Sequence, residues 1–386
     1  MAVLLQPRYR FGFILSTLLG NKTRYETLRK FSSGVPDVHC VWAPVRHYYL
    51  EDEVDPVRHL PDPLHTRAVT IAQAWPVLKC LSKLDAVMVH QFEVLSLLAT
   101  IPKTSKKPIV IGAHDNPPVL NRHTYPLYPE QRNKAAWRAH VRRLNDVWAA
   151  RRAGYFIGFS EWSAEIMREC GLASNHVAAQ HVGLDLSKWI KPNRDLRTRD
   201  QKTRLLFVGG DFERKGGLSL LNTLYSDLAD RFTLDIVTKT PLTSVPNNCR
   251  VYNDLGPGDS RLIELFHQAD IFVFPTEADL VPWVVLEAMA SQCAIVASRI
   301  GGIPDMVTPE CGILIDPTDG NALREALLTL AESPERREAM GLAARQRIEA
   351  AYDASKNVPK IFELMKRWID ERRSEREKIA TQQPRT

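Results

Sequence analysis

The chain has 386 residues with a formal net charge of +6; 44% of its residues are hydrophobic and 25% are charged. This composition is ordinary for a soluble globular protein, and the length favours two domains. The mild positive charge suits an anionic ligand better than a dedicated nucleic-acid surface, so we expect no nucleic-acid partner.

The first half of the chain alternates short β-branched runs with helical stretches, which predicts parallel strands covered by helices. Its strand candidates, in chain order, are "RFGFILST", "VHCVWAP", "DAVMVHQF", "KPIVIGAHD", "GYFIGFS" and "HVAAQHVG". Gly20 follows the first of these strands, and His114 stands at the end of the fourth.

Targeting signals are weak in this sequence. The stretch "FGFILSTLLG" imitates a signal peptide, but no small-residue cleavage site follows, so we interpret it as a buried strand that runs into a helix. No apolar run reaches the roughly 18 residues that a membrane span needs. The six cysteines are widely spaced without a CxxC pair, which predicts reduced thiols and a cytoplasmic protein.

Residues 130–152, "EQRNKAAWRAHVRRLNDVWAARR", have the pattern of a basic amphipathic helix. Trp137, Val141, Leu144 and Trp148 share one helical face, and lysine and arginine side chains lie on the adjacent face. The pattern favours a helix that packs its apolar face on the core and leaves its basic side in water. The alternative is a peripheral contact with anionic lipid at the inner membrane face, or with an anionic acceptor.

A polar, charged and proline-interrupted stretch after the sixth strand marks a boundary between domains. We predict a first domain over residues 1–190, a linker over 191–203, a second domain over 204–352, and a C-terminal helix with a frayed tail over 353–386.

The second half repeats the alternation with the strand candidates "RLLFVGG", "FTLDIVT", "CRVYNDL", "DIFVFPT", "CAIVAS" and "GILID". Six strands in each half predict two doubly wound sheets rather than one oversized sheet. The rest of the chain is predicted to be helical in "GNALREALLTLAE", "SPERREAMGLAARQRIEAAY" and "VPKIFELMKRWIDERRSEREKIA".

The first strand of the second half ends in Gly209 and Gly210, at the edge where open α/β sheets bind ligands. Arg214 and Lys215 follow at the predicted start of a helix, whose free N–H groups suit a phosphate. The alternative is a solvated loop with surface charges. The pattern is neither GxxxxGK[ST] nor GxGxxG, which argues against a P-loop kinase and a dinucleotide dehydrogenase.

A single acid, Glu287, interrupts the apolar helix that we predict from Pro282 onward in "PTEADLVPWVVLEAMA". A buried carboxylate without a partner is costly, and the vicinal hydroxyls of a sugar ring would supply partners. Asp279 precedes this helix in the loop above the sheet. The alternative is that Glu287 pairs with Lys215 or another cation without any ligand, and that Asp279 only caps the helix.

Several ordered motifs resemble retaining GT-B glycosyltransferases of family 4. "FVGGDFERKGG", "ADIFVFPTEADLVPWVVLEAMAS", "ASRIGGIPDMV" and "GILIDPTDGNALREAL" are similar to the nucleotide-binding half of that family. "VIGAHDNPP", "GFSEWSAEIMRECG" and "HVGLDLSKW" resemble parts of its first domain. The resemblance implies a GT-B fold, with two Rossmann-like doubly wound α/β domains facing a central cleft and a last helix that crosses back to the first domain.

The resemblance also implies roles for single residues. The two acids of the family's E-x7-E motif fall on Asp279, beside the donor sugar, and on Glu287, at the ribose hydroxyls. Lys215 matches the lysine that binds pyrophosphate. The usual arginine is Gly210 here, so Arg214 is assigned to take over its role.

Other site residues follow from the same resemblance. His114 matches a histidine near the reacting sugar, and Gly20 stands where the family usually has a glycine pair over the phosphates. Leu280 and Val281, between the two acids, are assigned to the donor site. Pro282 replaces a glycine of the donor loop, and Asp279 is one methylene shorter than the expected glutamate.

The resemblance implies transfer of a sugar from a nucleotide-diphosphate sugar to a glycan, lipid-linked or small-molecule acceptor. Retention of configuration is expected, without a metal or another cofactor. Two other classes remain open: a non-catalytic GT-B protein that binds a nucleotide or carbohydrate, and a GT-B phosphorylase or epimerase.

Overall fold

The structure is a computed structural model. It describes residues 7–16, 20–45, 64–90, 108–114, 147–190, 202–225 and 228–382, with a few single residues between 95 and 144. The chain divides into two compact units. The first comprises Met1–Asn121, Ala135–Val182 and Ser355–Thr386, and the second comprises Arg122–Lys134 and Gly183–Ala354.

The first unit contains a parallel sheet in the strand order β2-β1-β3-β4-β5-β6. Its strands are β1 (Tyr9–Ser16), β2 (Val38–Val45), β3 (Ala86–Val89), β4 (Ile109–His114), β5 (Gly154–Gly158) and β6 (Val177–Ala179). Side chains on both faces are buried, as with Phe13 and Ile14 of β1, because helices cover parallel sheets on both sides. All six strands predicted for the first half are confirmed.

The helices of this unit include α1 (Gly20–Ser32), α2 (Leu64–Leu78) and α3 (Glu161–Glu169). The hydroxyl of Ser160 caps α3 by accepting from the N–H of Ser163 at 3.1 Å. Residues 147–153 are also helical. One core cluster joins Ala74 of α2, Val87 of β3 and Ala149, so α2 and the 147–153 segment cover the same face of the sheet.

The basic amphipathic segment does not pack as its pattern predicts. Leu144 and Trp148 are 53% and 46% exposed, so the prediction that they face the core is wrong. The core side is occupied by Ala149 and Ala153, whose small side chains let the helix approach the sheet closely. The predicted partners Trp137 and Val141 lie outside the described residues.

The second unit contains a second parallel sheet, in the strand order β12-β11-β10-β7-β8-β9. Its strands are β7 (Thr203–Val208), β8 (Phe232–Val237), β9 (Cys249–Tyr252), β10 (Ile271–Phe274), β11 (Ala294–Ser298) and β12 (Gly312–Ile315). The six strands predicted for the second half are confirmed.

The helices of the second unit include α4 (Gly217–Leu224), α5 (Ser260–Gln268), α6 (Trp283–Ala290), α7 (Ile303–Met306), α8 (Gly320–Glu332) and α9 (Pro334–Ala351). The carboxylates of Asp259 and Asp319 cap α5 and α8, each accepting a backbone N–H at 2.9 Å. Gln292, in the turn after α6, has a φ of 58°. A glycine would adopt that left-handed conformation at less cost.

The last helix, α10 (Ala354–Gln382), belongs to the first unit from Ser355 onward. The ring of Phe362 lies 5.4 Å from that of Phe11 and 5.6 Å from that of Phe13, both on β1. At the other end of the contact, the hydroxyl of Tyr9 donates to Asp370 at 2.6 Å. Among the described helices, none is long and apolar enough to cross a membrane.

Candidate functional site

Two loops of the second unit lie side by side at the carboxyl edge of its sheet. β7 pairs directly with β10, so the loops over residues 209–216 and 275–282 leave neighbouring strands. The N–H of Glu277 donates to the carbonyl of Arg214 at 3.0 Å, and the hydroxyl of Thr276 donates to the same oxygen at 3.3 Å. These bonds hold the two loops against each other.

The glycines after β7 have different surroundings. A Cβ added at Gly209 would lie 2.9 Å from Cγ of Lys215, whereas one at Gly210 would meet only Cγ of Lys239, at 4.0 Å. Gly209 therefore lets the Lys215 side chain pass close to the backbone. Gly210 leaves open space beside the loop, as a site for a ligand against backbone requires.

Gly216 makes the contact between the two loops possible. It is the residue before α4 and has a φ of 81°. A Cβ there would lie 1.9 Å from the carbonyl oxygen of Pro275, so no other residue fits without displacing a loop. Because α4 begins at Gly217, Arg214 and Lys215 lie in the turn before the helix rather than in its first turn.

Lys215 and Asp279 form an ion pair across the two loops. Nζ of Lys215 donates to Oδ2 of Asp279, and the two side chains are only 17% and 15% exposed. The other carboxylate oxygen of Asp279 accepts from the N–H of Leu280 at 3.0 Å. The alternative in which Lys215 pairs with Glu287 and Asp279 caps the helix is contradicted, since α6 begins only at Trp283.

Arg214 brings a second cation to the same pair of loops. Its Nε donates to Asp211 at 2.9 Å, and its Nη1 donates to the carbonyl of Ala278 at 2.5 Å. Ala278 directly precedes Asp279, so the guanidinium and the Lys215 ammonium lie at adjacent points of one loop.

Glu287 is an acid in an otherwise apolar helix. It lies in the second turn of α6 and is 8% exposed, between Leu286 and Ala288, which are fully buried. Burial raises the pKa of the Glu287 carboxyl from 4.5 to about 7, because poorly polar surroundings disfavour the charged form. No hydrogen bond or ion pair connects this carboxyl to any residue that the structure describes.

Leu280 and Val281 are 8% and 4% exposed, so their side chains face the interior. The carbonyl of Leu280 accepts from the N–H of Gly302 at 2.7 Å, whereas the N–H of Val281 makes no hydrogen bond to a described residue. Any contact of these two residues with a sugar-donor molecule would therefore use their backbone, where the N–H of Val281 is available to donate a hydrogen bond.

The two site residues predicted for the first unit lie at the carboxyl edge of its own sheet. Gly20 is the first residue of α1, which follows β1, and His114 is the last residue of β4. β3 separates these two strands in the sheet. The side chain of His114 lies outside the description.

The structure adds residues at this edge that the sequence motifs did not assign. Arg24 of α1 is 2% exposed; its Nη1 lies 2.9 Å from Nε2 of His90, and its guanidinium carbon lies 4.2 Å from the ring centroid of Phe159. The sequence motifs assigned no site role to Arg24, His90 or Phe159. The available signal was position, because each follows a strand of the sheet.

Thr238 and Thr240 were also missed, in the loop after β8. Their hydroxyls lie 3.4 and 3.3 Å from the carbonyl of Gly210, and the N–H of Phe212 donates to Thr240 at 3.2 Å. These contacts help to fix the conformation of the loop over residues 209–216. In the described part of the chain, no group of three or more His, Cys, Asp and Glu side chains is placed to hold a metal ion.

Residues 202–333 match the protein family described as "Glycosyl transferases group 1". The matched segment begins just before β7, ends just after α8 and contains the two loops and Glu287. The fold of the chain is also found in solved glycosyltransferase structures. Sucrose-phosphate synthase from Thermosynechococcus elongatus superimposes with a TM-score of 0.72 at 15% identity, covering 94% of this chain and 100% of that one.

A second neighbour is Anabaena HepE in complex with UDP-glucose. It superimposes with a TM-score of 0.65 at 15% identity, covering 95% of this chain and 99% of HepE. Together with the two parallel six-stranded sheets, these neighbours show that the chain has the GT-B fold of glycosyltransferases.

The curated relatives match over shorter stretches. An MMP alpha-(1->4)-mannosyltransferase from Mycolicibacterium hassiacum is 34% identical over 196 residues, which is 48% of this chain and 47% of the relative. The sulfoquinovosyl transferase SQD2 of Arabidopsis thaliana is 39% identical over 92 residues, 23% of this chain and 18% of the relative. The chain therefore spans less than half of the length of either relative.

Proposed function

We propose that this chain, whose second unit carries the glycosyl transferases group 1 segment, moves a sugar from a nucleotide-diphosphate sugar to an acceptor hydroxyl. We further propose that the reaction retains the anomeric configuration of the donor and needs no metal ion. The acceptor class stays open between glycans, lipid-linked molecules and small molecules. The six cysteines, all within the described residues, form no disulfide, which suits a reducing compartment such as the cytoplasm.

The observation that carries this proposal is the buried carboxyl of Glu287. An apolar helix retains such a group at a cost unless a ligand supplies hydrogen-bond donors. The two hydroxyls of a ribose are vicinal donors, and one carboxylate accepts from both. A pKa of about 7 means that these two hydrogen bonds would also draw the group into its charged form.

The diphosphate would bind beside Gly210, where the loop is open. Lys215 and Arg214 supply two positive charges at this point, and the N–H of Val281 supplies an unused donor. During transfer, negative charge grows on the diphosphate as the bond to the sugar breaks. Fixed cations and an N–H group in a partly buried site stabilise that charge, which is usually the largest electrostatic contribution to catalysis.

Asp279 would change partner when the donor binds. It is the counter-ion of Lys215, and a diphosphate would compete for the same ammonium. The released carboxylate would then be available to a hydroxyl of the donor sugar. We propose His114, the last residue of β4, and Gly20, the first residue of α1, as further substrate contacts, because both lie at the carboxyl edge of the sheet in the first unit.

The comparisons support a nucleotide-sugar donor in general terms. HepE has been solved with UDP and with UDP-glucose, and a relative from Corynebacterium glutamicum, 33% identical over 117 residues, is named as GDP-mannose-dependent. These two donors differ in base and sugar, so the proposal names neither.

A second candidate is a GT-B protein that binds nucleotides without transferring a sugar. The Lys215–Asp279 ion pair favours it, because it occupies the two side chains that transfer would use.

A screen of UDP-, GDP- and ADP-sugars for hydrolysis and transfer, with and without a chelator, tests the proposal. We expect turnover of at least one donor, unaffected by the chelator, and a product with the donor's anomeric configuration by NMR. Nucleotide binding without turnover would favour the second candidate. Turnover that requires inorganic phosphate would point to a phosphorylase instead.

A further inference from the structure

The outer side of α2 exposes apolar side chains in the first unit. Ile71 and Trp75 are 37% and 60% exposed. Lys79 is exposed as well, and its N–H donates to the carbonyl of Trp75 at 3.0 Å. This bond continues the helical spacing, so the three residues form one stripe at positions i, i+4 and i+8.

The same order recurs on the helical residues before β5. Leu144 and Trp148 are 53% and 46% exposed, and Arg152 is exposed at the next position of the spacing. α2 precedes β3 and this segment precedes β5, and both cover one face of a parallel sheet. The two stripes therefore run in the same direction, with an aliphatic residue first, tryptophan second and a cation last.

Charge distinguishes the α2 side of this face from an ordinary protein contact. Residues 71–83 contain no Asp or Glu but include the exposed Lys79 and Lys83. Exposed tryptophan prefers the boundary between lipid and water, because its ring is apolar and its N–H is polar. Lysine and arginine beside it attract anionic headgroups.

We propose that the two stripes, Ile71–Trp75–Lys79 and Leu144–Trp148–Arg152, dock the first unit on an anionic lipid bilayer. The tryptophan and aliphatic side chains enter the headgroup boundary, and Lys79 and Arg152 contact anionic lipid. Binding is peripheral and reversible, and salt weakens it because the electrostatic part is screened. This surface is independent of the proposed transferase activity.

Flotation of the full chain with lipid vesicles tests the proposal. We expect binding to mixed phosphatidylcholine–phosphatidylglycerol vesicles and much weaker binding to phosphatidylcholine alone. The double variant Trp75→Ser/Trp148→Ser should lose about tenfold or more in vesicle affinity, because two large apolar side chains no longer leave water. Lys79→Ser/Arg152→Ser should lose the preference for anionic lipid.

Tyr225→Ser/Leu342→Ser is the matched control, since these side chains of the second unit are 54% and 44% exposed. It should bind vesicles like the parent. Thermal unfolding monitored by circular dichroism should be alike for all variants, because every substituted side chain is exposed. Equal binding to neutral and anionic vesicles, or an unchanged tryptophan double variant, would overturn the proposal. A dimer that dissociates in the tryptophan variant, without vesicle binding, would assign the face to a second copy of the chain.

Discussion

At the residue scale, the Glu287 carboxyl links stability to function. Its pKa is about 7 in the folded chain and near its ordinary 4.5 in the unfolded one. Between these two values, the unfolded chain releases a proton that the folded chain keeps. The free energy of unfolding therefore falls as pH rises through this window, by about 3 kcal/mol in total.

Glu287→Gln removes this penalty without changing the side chain's size. At about pH 8, we expect the ligand-free variant to unfold with a free energy up to about 3 kcal/mol higher than the parent. The difference should shrink toward zero as pH falls to 4.5. Urea unfolding across this range measures it. Glu325→Gln makes the same change at an exposed site of α8 and should leave the free energy of unfolding nearly unchanged. If Glu287→Gln also left it unchanged, the Glu287 carboxyl would not be destabilising.

The Lys215–Asp279 pair leads to a second expectation at this scale. Asp279→Asn keeps the side chain's shape but removes the charge that competes with a diphosphate for Lys215. We expect the affinity for nucleoside diphosphates to rise several-fold and the transfer rate to fall. Calorimetry and turnover assays measure the two effects. Asp254→Asn, in an exposed pair with Arg261, is the control, and a fall in diphosphate affinity for Asp279→Asn would contradict the competition.

Sequence motifs anticipated which residues gather at this site better than how they pair. Arg214, Lys215 and Asp279 lie together on two adjacent loops, as the motif order implied. The partner of Lys215 could not be predicted, because it depends on the loops after β7 and β10 being neighbours in space. The sequence pattern suggested only Glu287 as an acidic partner of Lys215.

At the element scale, the contact between the two loops depends on one glycine. Gly216→Ala places a methyl group against the carbonyl of Pro275, in addition to the strain of about 1 to 2 kcal/mol that a left-handed residue costs. We expect a clear loss of stability together with weaker nucleotide binding, because the 209–216 loop must move. Thermal unfolding and calorimetry measure the two effects.

Gly258 provides the control for this substitution. Its φ is 84°, close to that of Gly216, but an added Cβ would meet no atom within 4 Å. Gly258→Ala should therefore show the backbone strain alone and leave nucleotide binding unchanged. If the two variants behaved alike, the contact with Pro275 would have no role in shaping the site.

Strands and helices were predicted more reliably than the surfaces they present. Buried strands such as "DIFVF" read as apolar runs, and both faces of the sheet are indeed covered. The prediction that Trp148 packs on the core was wrong, because amphipathic spacing shows which side of a helix is apolar but not whether that side contacts the core. Ala149 and Ala153 make the contact with the sheet, and alanines contribute little to a hydrophobic pattern because their side chains are small.

At the scale of the whole molecule, α10 is part of the first unit although it is last in sequence. Phe362 packs on β1, Nη2 of Arg373 donates to Asp85 at 2.8 Å, and Nε1 of Trp368 donates to the carbonyl of Asn175 at 3.1 Å. Such contacts between distant segments could not be read from local patterns. The predicted linker over 191–203 stays a prediction, because residues 191–201 lie outside the described chain.

Deleting residues 358–386 should unfold the first unit, because it uncovers Phe11 and Phe13 of β1. Removing a buried aromatic contact of this kind costs about 3 to 5 kcal/mol. Deleting only 374–386 keeps Phe362, Trp368 and Arg373, and should leave thermal unfolding nearly unchanged. Circular dichroism compares the two; a fully folded shorter chain would show that α10 is dispensable.

The most direct test of the account is the nucleotide affinity of Glu287→Gln. Calorimetry with UDP, GDP and ADP identifies the nucleotide that the parent binds, and the exposed substitution Glu325→Gln serves as the reference. We expect Glu287→Gln to weaken this binding roughly tenfold or more, since an amide loses the charge that strengthens two hydrogen bonds. We also expect the parent to bind more tightly as pH rises through about 7. Unchanged affinity in Glu287→Gln, with the parent binding normally, would contradict the assignment of Glu287 to the ribose.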